Sequence, residues 1–161
     1  MIFVDVIARF REEYEFLSNL YEVPVTFRGL TYGSSEAAYQ AWKSLDPADH
    51  ERFTQLRSHE SKTEGRKLKV RKDWDEVKVS IMDEILRAKF SQNPELLEKL
   101  LATGHALIVE GNHWKDTFWG FDTNLGYGQN MLGQLLMRIR AGYQGKLLKR
   151  DSPAKTSSEG A

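Results

Sequence analysis

Apolar and polar residues alternate in the segment VPVTFRGLTY, residues 23–32, on both sides of Arg28 and Gly29. Such alternation is typical of strands with one buried face, and a glycine between two such runs favours a turn. The segment Ile2–Phe10 is also strand-like in composition. The pattern therefore predicts that strands come early in the chain and include a hairpin.

Apolar residues at helical spacing dominate the rest of the chain. The segment GSSEAAYQAWKSL, residues 33–45, predicts the first three turns of a helix with Ser34 or Ser35 as its N-cap. Apolar residues recur over Trp74–Gln92, which predicts the longest helix, with Asp73 as its N-cap. Four further elements are predicted: a short helix from Pro47 to near Ser58, a helix over 94–104, a short strand over 106–110 and a last helix over 130–143.

These elements predict the α+β fold class, in the form of a compact single domain that is mostly helical with a small β-sheet. The domain is expected to cover residues 1–144. Residues 145–161 are rich in Lys, Ser and Pro, which predicts a flexible C-terminal tail.

The composition excludes several classes of protein. The chain has 161 residues, with 23 Lys and Arg against 23 Asp and Glu, so any contact with nucleic acid must be local. It has no cysteine, which excludes disulfides, thiolate metal ligands and cysteine nucleophiles. The four histidines show no metal-ligand spacing, so the sequence predicts no metal and no cofactor.

The sequence shows no targeting or membrane segment. The N-terminal MIFVDVIARF has no basic region before its apolar run, and Asp5 interrupts that run. No segment reaches the roughly 18 apolar residues that a membrane span needs. We therefore expect a soluble, cytoplasmic protein with no membrane partner. The sequence does not indicate an oligomeric state.

A polar stripe crosses the helix predicted over residues 33–45. Glu36, Gln40 and Lys43 fall at i, i+4 and i+7, among alanines and aromatic residues. In one interpretation Glu36 stabilises the helix N-terminus and Lys43 is exposed, but this leaves Gln40 unexplained. In the other, a carboxylate and an amine share a face where small neighbours let a ligand approach. The residues alone leave both interpretations open.

The connection before the last helix, residues 111–130, is unusually long for a loop. Five aromatic residues are interleaved with its glycines: Trp114, Phe118, Trp119, Phe121 and Tyr127. A surface of aromatic residues and glycines suits a nucleotide, because the base stacks on the aromatic rings and the glycines let backbone amides approach a phosphate. The alternative is that Trp119 and Phe121 only fill the core under the loop.

Basic residues are concentrated in SKTEGRKLKVRKDW, residues 61–74. The cations of this basic run are Lys62, Arg66, Lys67, Lys69, Arg71 and Lys72. A charge run is usually solvated surface. If Arg66, Lys67, Lys69 and Arg71 faced a pocket mouth, they would bind the phosphates of a polynucleotide, and binding would depend strongly on salt.

Five motifs follow one another in a fixed order. They are FLSNLY at 16–21, G-x-x-Y-x-S-S-E at 29–36 followed by Tyr39-Gln40 and Lys43, IMDEILRAKFSQNPELLEKLLATG at 81–104, LIVEGNHWKDTFWG at 107–120 and G-x-N-M-L-G-x-L-L-M-x-I-R at 128–140. In this order they resemble the YbiA-like, or NADAR, family over about residues 9–143. The resemblance implies a compact α+β fold and N-glycosidase activity, the cleavage of a ribosyl C1–N bond.

The resemblance also implies the substrate class and the site residues. The substrate is expected to be a small-molecule N-ribosyl compound, such as a phosphoribosylamino intermediate of riboflavin synthesis, or ADP-ribose linked to guanine in nucleic acid. The family motifs correspond to Ser35, Glu36, Tyr39, Gln40 and Lys43, to Phe16 and Asn19, to Asp116, Trp119 and Gly120, and to Gly128, Asn130 and Gly133. Ala37 and Ala38 replace bulkier, often His-containing neighbours of the glutamate, a difference that bears on substrate choice.

Glu36, Lys43 and Asp116 are the expected catalytic residues, and the other corresponding positions are expected to bind substrate. Positive charge builds on the sugar as the bond breaks, so the Glu36 carboxylate near C1 would stabilise it or activate water. Lys43 is either a nucleophile that forms an imine with C1 or a cation that holds a phosphate or pairs with Glu36. Asp116 would polarise a ribose hydroxyl or the leaving base. The alternative function is a non-catalytic module that binds ADP-ribose.

Overall fold

Strands come early in the chain, as the alternating pattern predicts. The computed structural model describes residues 1 and 3–152, so Ile2 of the predicted N-terminal strand lies outside the described residues. The first elements are β1 (Val6–Ile7), a 3₁₀ helix (Glu12–Leu17), β2 (Glu22–Phe27) and β3 (Leu30–Ser34). β1 is much shorter than the predicted strand.

β2 and β3 form the predicted hairpin, paired in antiparallel orientation. Arg28 and Gly29 make the turn with φ angles of 48° and 87°. This left-handed conformation is the one that two-residue hairpin turns require, and glycine adopts it without strain. Every second residue of β2 is buried, as a strand with one face in the core requires.

Helices form most of the remaining described chain. They are α1 (Ser35–Ala41), α2 (Pro47–Phe53), α3 (Ser58–Gly65), α4 (Trp74–Gln92), α5 (Pro94–Ala102) and α6 (Met131–Asp151). Three short strands lie between α5 and α6: β4 (Leu107–Ile108), β5 (Gly111–Asn112) and β6 (Phe121–Asp122). β1 pairs with β4 and β5 with β6, both in parallel. The α+β fold class is thus as predicted, although the strands form small separate sheets.

The core lies between the hairpin and the long helices. α4 packs against β2 and α1, and α6 packs against α4, α5 and β4. Apolar residues at helical spacing on α4 and α6 are buried: Ile81, Ile85, Leu132, Leu135, Leu136 and Ile139. Trp74, Val77 and Ala88, at the same spacing on α4, are partly buried against the core.

Several boundaries differ from the sequence prediction. α2 ends at Phe53 and not near Ser58, and β4 covers only Leu107–Ile108 of the strand predicted over 106–110. α1 has two turns rather than three, so Lys43 lies in the turn that follows the helix. α6, at 21 residues, is longer than α4, at 19, and continues through Gly145 to Asp151. Its last turns contain good helix formers that the predicted tail boundary did not weigh. Residues 153–161 of the predicted tail lie outside the described residues.

α3 was not predicted. Its sequence SHESKTEG contains no large apolar residue and therefore gives no helical periodicity. The Glu60 carboxylate accepts a hydrogen bond from the backbone N–H of Arg57 at 2.9 Å, which caps the first turn. None of the helices in the described part of the chain is long and apolar enough to cross a membrane.

Candidate active site

A cavity of about 560 Å³ brings distant parts of the chain together. One side, the helix wall, consists of Glu36, Tyr39, Gln40 and Lys43. The loop wall consists of cavity-lining residues between Glu110 and Thr123, and further lining residues come from 9–11, 18–20, Lys62 and Met82. The predicted site residues that line the cavity are Asn19, Glu36, Tyr39, Gln40, Lys43, Asp116 and Trp119.

The helix wall is presented by α1. Ser34 Oγ accepts a hydrogen bond from the Ala37 N–H at 3.1 Å and caps the helix. Ala37 and Ala38 are fully buried in the core, which leaves the face of Glu36 and Gln40 toward the cavity. Gln40 Nε2 donates a hydrogen bond to Glu36 Oε1 at 2.7 Å, so Gln40 orients the carboxylate. Glu36 and Gln40 of the polar stripe therefore form a buried, hydrogen-bonded pair and not a solvated helix face.

The surroundings of Glu36 change the pKa of its carboxyl group. Its side chain is only 8% exposed, and burial, the largest effect, raises its pKa. The hydrogen bond from Gln40 and the charges of Lys62 and Lys43 lower the pKa again, whereas Asp116 raises it. Glu36 is thus a stronger base than an exposed glutamate, and three partners favour its ionised form.

Lys43 lines the cavity although it lies beyond the end of α1. Burial lowers the pKa of its amine, the charge of Glu36 raises it and the charge of Arg66 lowers it. Its Nζ lies 5.6 Å from the ring centroid of Tyr39. A larger fraction of the Lys43 amine is therefore neutral at a given pH than for an exposed lysine.

The loop wall is shaped by side chains that bind backbone groups. Asn112 Oδ1 accepts hydrogen bonds from the N–H groups of Trp114 and Asp116, both at 3.2 Å. Asp116 Oδ1 in turn accepts from the N–H groups of Phe118 at 3.2 Å and Trp119 at 2.9 Å. Such bonds fold a loop that has little regular structure. Asp116 therefore holds the loop with one oxygen while it faces the cavity.

Glu110, at the start of the loop wall, has a fixed backbone. Its N–H donates to Asn130 Oδ1 at 2.9 Å, and its carbonyl accepts from the Phe121 N–H at 2.9 Å. Its side chain lines the cavity, and Oε2 is buried without a hydrogen-bond partner among the described residues. Burial raises the pKa of Glu110 to about 8, with further increases from Asp116 and Glu36 and a decrease from Lys62.

Five predicted binding residues do not line the cavity, namely Phe16, Ser35, Gly120, Gly128 and Asn130. They support those that do. Ser35 Oγ donates to Asn19 Oδ1 at 3.0 Å and fixes the orientation of that amide. Asn130 adopts φ 50° and bridges two backbone groups, since its Nδ2 also donates to the Ile108 carbonyl at 2.9 Å.

Three glycines of the predicted motifs allow close packing behind the loop wall. A Cβ at Gly120 would lie 2.7 Å from Asn112 Nδ2, and one at Gly128 would lie 2.6 Å from Phe121 Cα. A Cβ at Gly133 would meet the Asn130 side chain and the Ile108 carbonyl. Any side chain at these positions would therefore displace the loop.

Phe16 is a core residue whose carbonyl has a structural role. Lys89, fully buried on α4, donates from Nζ to the carbonyls of Phe16 at 2.6 Å and Ser18 at 3.0 Å. Burial lowers the pKa of Lys89 to about 7. These bonds fix the segment that presents Asn19 to the cavity.

The aromatic residues of the loop divide between core and cavity. Trp119 packs edge-on against Tyr39, with ring centroids 5.6 Å apart, and also lines the cavity. Trp114 lines the cavity while 55% of its surface stays exposed. Trp119 therefore contacts both the core and the cavity, and Trp114 is the ring most available to a ligand.

The basic run contributes one residue to the cavity, Lys62. Arg66, Lys67, Lys69 and Arg71 do not line it. Polynucleotide binding by the basic run was predicted only if these four residues faced the mouth of a pocket. Lys67 pairs with Glu64 at 2.9 Å and Arg71 with Asp73 at 2.6 Å, so nearby carboxylates already neutralise these two cations.

Sequence reasoning did not single out Glu110, Asn112, Arg9 and Arg11, which line the cavity. One signal for Glu110 was available. It ends the apolar run ALIVE and opens the glycine-rich loop, and a lone carboxylate at the end of a buried strand is often placed in a site. The two arginines precede the 3₁₀ helix in a segment without a recognisable pattern.

Buried ionisable groups that converge on one cavity, with shifted pKa values, are typical of enzyme active sites. The NADAR domain family model matches residues 7–143. The chain therefore belongs to the NADAR family, as the order of its motifs predicted.

Curated and solved relatives agree with this membership. The chain is 38% identical over 132 residues to the N-glycosidase YbiA of Escherichia coli (strain K12), with 80% of this chain and 81% of that protein covered. The NMR structure of E. coli YbiA superposes with a TM-score of 0.80 at 33% identity, covering 95% of this chain and 94% of that chain. A riboflavin biosynthesis protein of Vibrio vulnificus (strain YJ016) is 39% identical over 134 residues, covering 80% of this chain. The matched region spans 35% of the length of the Vibrio protein.

Proposed function

We propose that this N-glycosidase of the NADAR family hydrolyses the bond between C1 of a phosphorylated ribose and a nitrogen of a base. The observation that carries the proposal is the buried Glu36 carboxylate, which Gln40 orients in a cavity that also contains Lys43 and Lys62. Positive charge develops on C1 when the base leaves, and a fixed carboxylate stabilises that charge.

The substrate is a phosphoribosylaminopyrimidine of riboflavin synthesis or ADP-ribose linked to guanine, and the charge distribution favours the first. Arg9, Arg11 and Lys62 place cations at the cavity, where they suit the phosphate of a small molecule. The ion pairs of the basic run leave fewer free cations to follow a polynucleotide. The name of the Vibrio relative supports the same choice.

In the proposed mechanism the neutral Lys43 amine attacks C1. A C1–Nζ bond forms as the C1–N bond to the base breaks, and the electron pair of that bond leaves with the base. Glu36 takes the proton that Lys43 loses. The sugar ring then opens to an imine, and water activated by Glu36 hydrolyses the imine and releases ribose phosphate and the free lysine. The lowered pKa of Lys43 and its position at the cavity support this role.

The rival role for Lys43 is electrostatic, as a cation that holds a phosphate or pairs with Glu36. Borohydride added during turnover distinguishes the two roles, because it reduces an imine to a stable ribosyl adduct on Lys43. We expect labelling at Lys43 and loss of activity. An enzyme that stays unlabelled and fully active, or a Lys43→Arg variant that keeps most of the rate, contradicts the covalent role.

The remaining lining residues would bind and orient the substrate. Trp114 and Trp119 offer ring faces and edges to the base, and Asn19 offers an amide whose orientation Ser35 fixes. Asp116 would accept a hydrogen bond from a ribose hydroxyl with the oxygen that does not hold the loop.

A substrate panel tests the function. Purified protein is incubated with a phosphoribosylaminopyrimidine, ADP-ribosyl-guanosine, ADP-ribosylated DNA and NAD, and release of free base is measured with and without EDTA. We expect release from the pyrimidine compound that EDTA does not prevent. Tight binding of ADP-ribose with no base released from any compound would instead identify a binding module.

A further inference from the structure

Glu110 has no part in the mechanism above, although its side chain lines the cavity. Its Oε2 is buried and has no hydrogen-bond partner among the described residues, although the side chain lines an open cavity. A buried, unpaired carboxyl oxygen is costly to leave without a partner. Its presence in a preformed cavity indicates that a ligand group binds there.

The position of Glu110 is fixed from behind. Asn130 Oδ1 accepts from its N–H, and the Phe121 N–H donates to its carbonyl, both at 2.9 Å. Gly120 packs so closely that a Cβ there would meet the Glu110 carbonyl. The backbone that carries the carboxyl is therefore held rigidly, as a group that acts on a reacting atom requires.

The two glutamates of the cavity have different surroundings, although burial raises the pKa of both. Glu36 receives a hydrogen bond from the Gln40 amide and is close to Lys43 and Lys62, which favour its ionised form, whereas Asp116 opposes it. The charges that act on Glu110 are those of Asp116, Glu36 and Lys62, of which two are negative. The other charged or titratable groups at the cavity are Arg9, Arg11, Lys43, Tyr39 and His113. A pair of carboxyls with separated pKa values is the usual arrangement of a base and an acid.

We propose that Glu110 is the general acid that protonates the leaving nitrogen when the ribosyl C1–N bond breaks. The proposal rests on the proposed function and adds a residue to it. The O–H bond of Glu110 breaks and an N–H bond forms on the base, while the electron pair of the C1–N bond moves to that nitrogen. Lys43 or water forms the new bond to C1. The Glu110 carboxylate regains its proton from water after the base has left.

The chemistry of the leaving group explains why an acid is needed. An amino group on a pyrimidine leaves as an unstable anion unless a proton is supplied, whereas a nitrophenolate leaves without one. Because burial raises the pKa of Glu110 to about 8, the side chain holds its proton at neutral pH. Glu36, with its cationic neighbours, remains available as the base.

The test compares two leaving groups in one variant. Rates are measured for Glu110→Gln with an amine substrate and with p-nitrophenyl ribofuranoside 5-phosphate. The amine substrate is the phosphoribosylaminopyrimidine or ADP-ribosyl-guanosine, whichever the wild type cleaves faster. We expect the amine substrate to lose about 100-fold or more and the nitrophenyl substrate less than about threefold, as for removal of an acid that only one leaving group needs. Glu98→Gln, on the exposed side of α5, serves as the matched control.

The outcomes separate the role of Glu110 from the function itself. Equal losses on both substrates, or no loss on the amine substrate, overturn the acid role while the N-glycosidase function stands. A wild type that cleaves neither substrate overturns the function and the acid role together. If Glu110→Gln does not fold, Glu110→Asp keeps a proton donor one methylene shorter, and we expect a smaller loss that is again confined to the amine substrate.

Discussion

The helix wall and the loop wall each place a glutamate at the cavity, but they hold it by different means. Glu36 lies on a regular helix that Ser34 caps and buried alanines anchor, so its backbone does not depend on its side chain. Glu110 lies at the edge of an irregular loop, whose backbone N–H groups donate hydrogen bonds to the side-chain oxygens of Asn112 and Asn130. The comparison predicts that substitution of Glu36 changes chemistry alone, whereas substitutions behind the loop wall change chemistry and stability together.

The surroundings of the two carboxyls differ as much as their supports. Burial raises the pKa of both carboxyls, but at Glu36 an amide and two lysines oppose that effect, whereas at Glu110 two acidic neighbours add to it and only Lys62 opposes it. The same residue type is therefore expected to be more acidic on the helix wall than on the loop wall. This difference in neighbouring groups is the basis for proposing Glu36 as the base and Glu110 as the acid.

The largest expected effect is on the helix wall. Glu36→Gln keeps the shape of the side chain and removes its charge, so we expect the rate of base release to fall by about 100-fold or more. The melting temperature should stay close to that of the wild type, because α1 keeps its cap and its core contacts. Binding of ADP-ribose, measured by calorimetry, should persist. A variant that keeps most of its rate would show that Glu36 is not the base.

The second-largest effect is expected for Asn130, which supports the loop wall. Asn130→Ala removes two hydrogen bonds to backbone groups and places alanine at φ 50°, so we expect a loss of about 2–3 kcal/mol in the free energy of unfolding. Because Glu110 loses its anchor, the rate should fall as well. Asn124→Ala, in an exposed part of the same loop, is the matched control and should change neither quantity. Urea denaturation measures the stability, and an unchanged midpoint for Asn130→Ala contradicts the support role.

A smaller effect is expected for Lys62, whose charge acts on both Glu36 and Glu110. Lys62→Met should raise KM for a phosphorylated substrate about tenfold, the size of one lost charge-assisted contact. Lys67→Met should leave KM unchanged, since Lys67 is exposed and paired with Glu64. Steady-state kinetics on the two variants tests this pair. Equal effects would indicate that the whole basic run binds substrate.

The sequence predicted the helix wall more completely than the loop wall. The N-cap and the spacing of Glu36 and Gln40 follow from helical periodicity, which is a local property. Lys43 was predicted to lie within the helix, but the helix ends at Ala41. Lys43 still lines the cavity, and its catalytic role stays a prediction. Boundaries of helices depend on tertiary contacts that a local pattern does not contain.

The loop wall depends on contacts between residues far apart in the chain. The aromatic and glycine content of residues 111–130 predicted a shaped loop, but not that Asn130 would hold the backbone of Glu110 across 20 positions. The motif glycines were expected to bind substrate, whereas Gly120 and Gly128 allow backbone packing. Glu110 itself was missed because the burial that alters its acidity exists only in the fold.

The pH dependence of kcat/KM for the amine substrate tests most directly whether Glu36 acts as the base and Glu110 as the acid. This quantity reports the ionisation of the free enzyme. Glu110 must be protonated to act, so its ionisation should make the rate fall as the pH rises through about 8. Glu36 must be ionised and Lys43 neutral, so protonation of either group should also make the rate fall as the pH is lowered. In Glu110→Gln the remaining rate should lose the alkaline limb and keep the acid limb. An alkaline limb that persists unchanged in this variant would contradict the account.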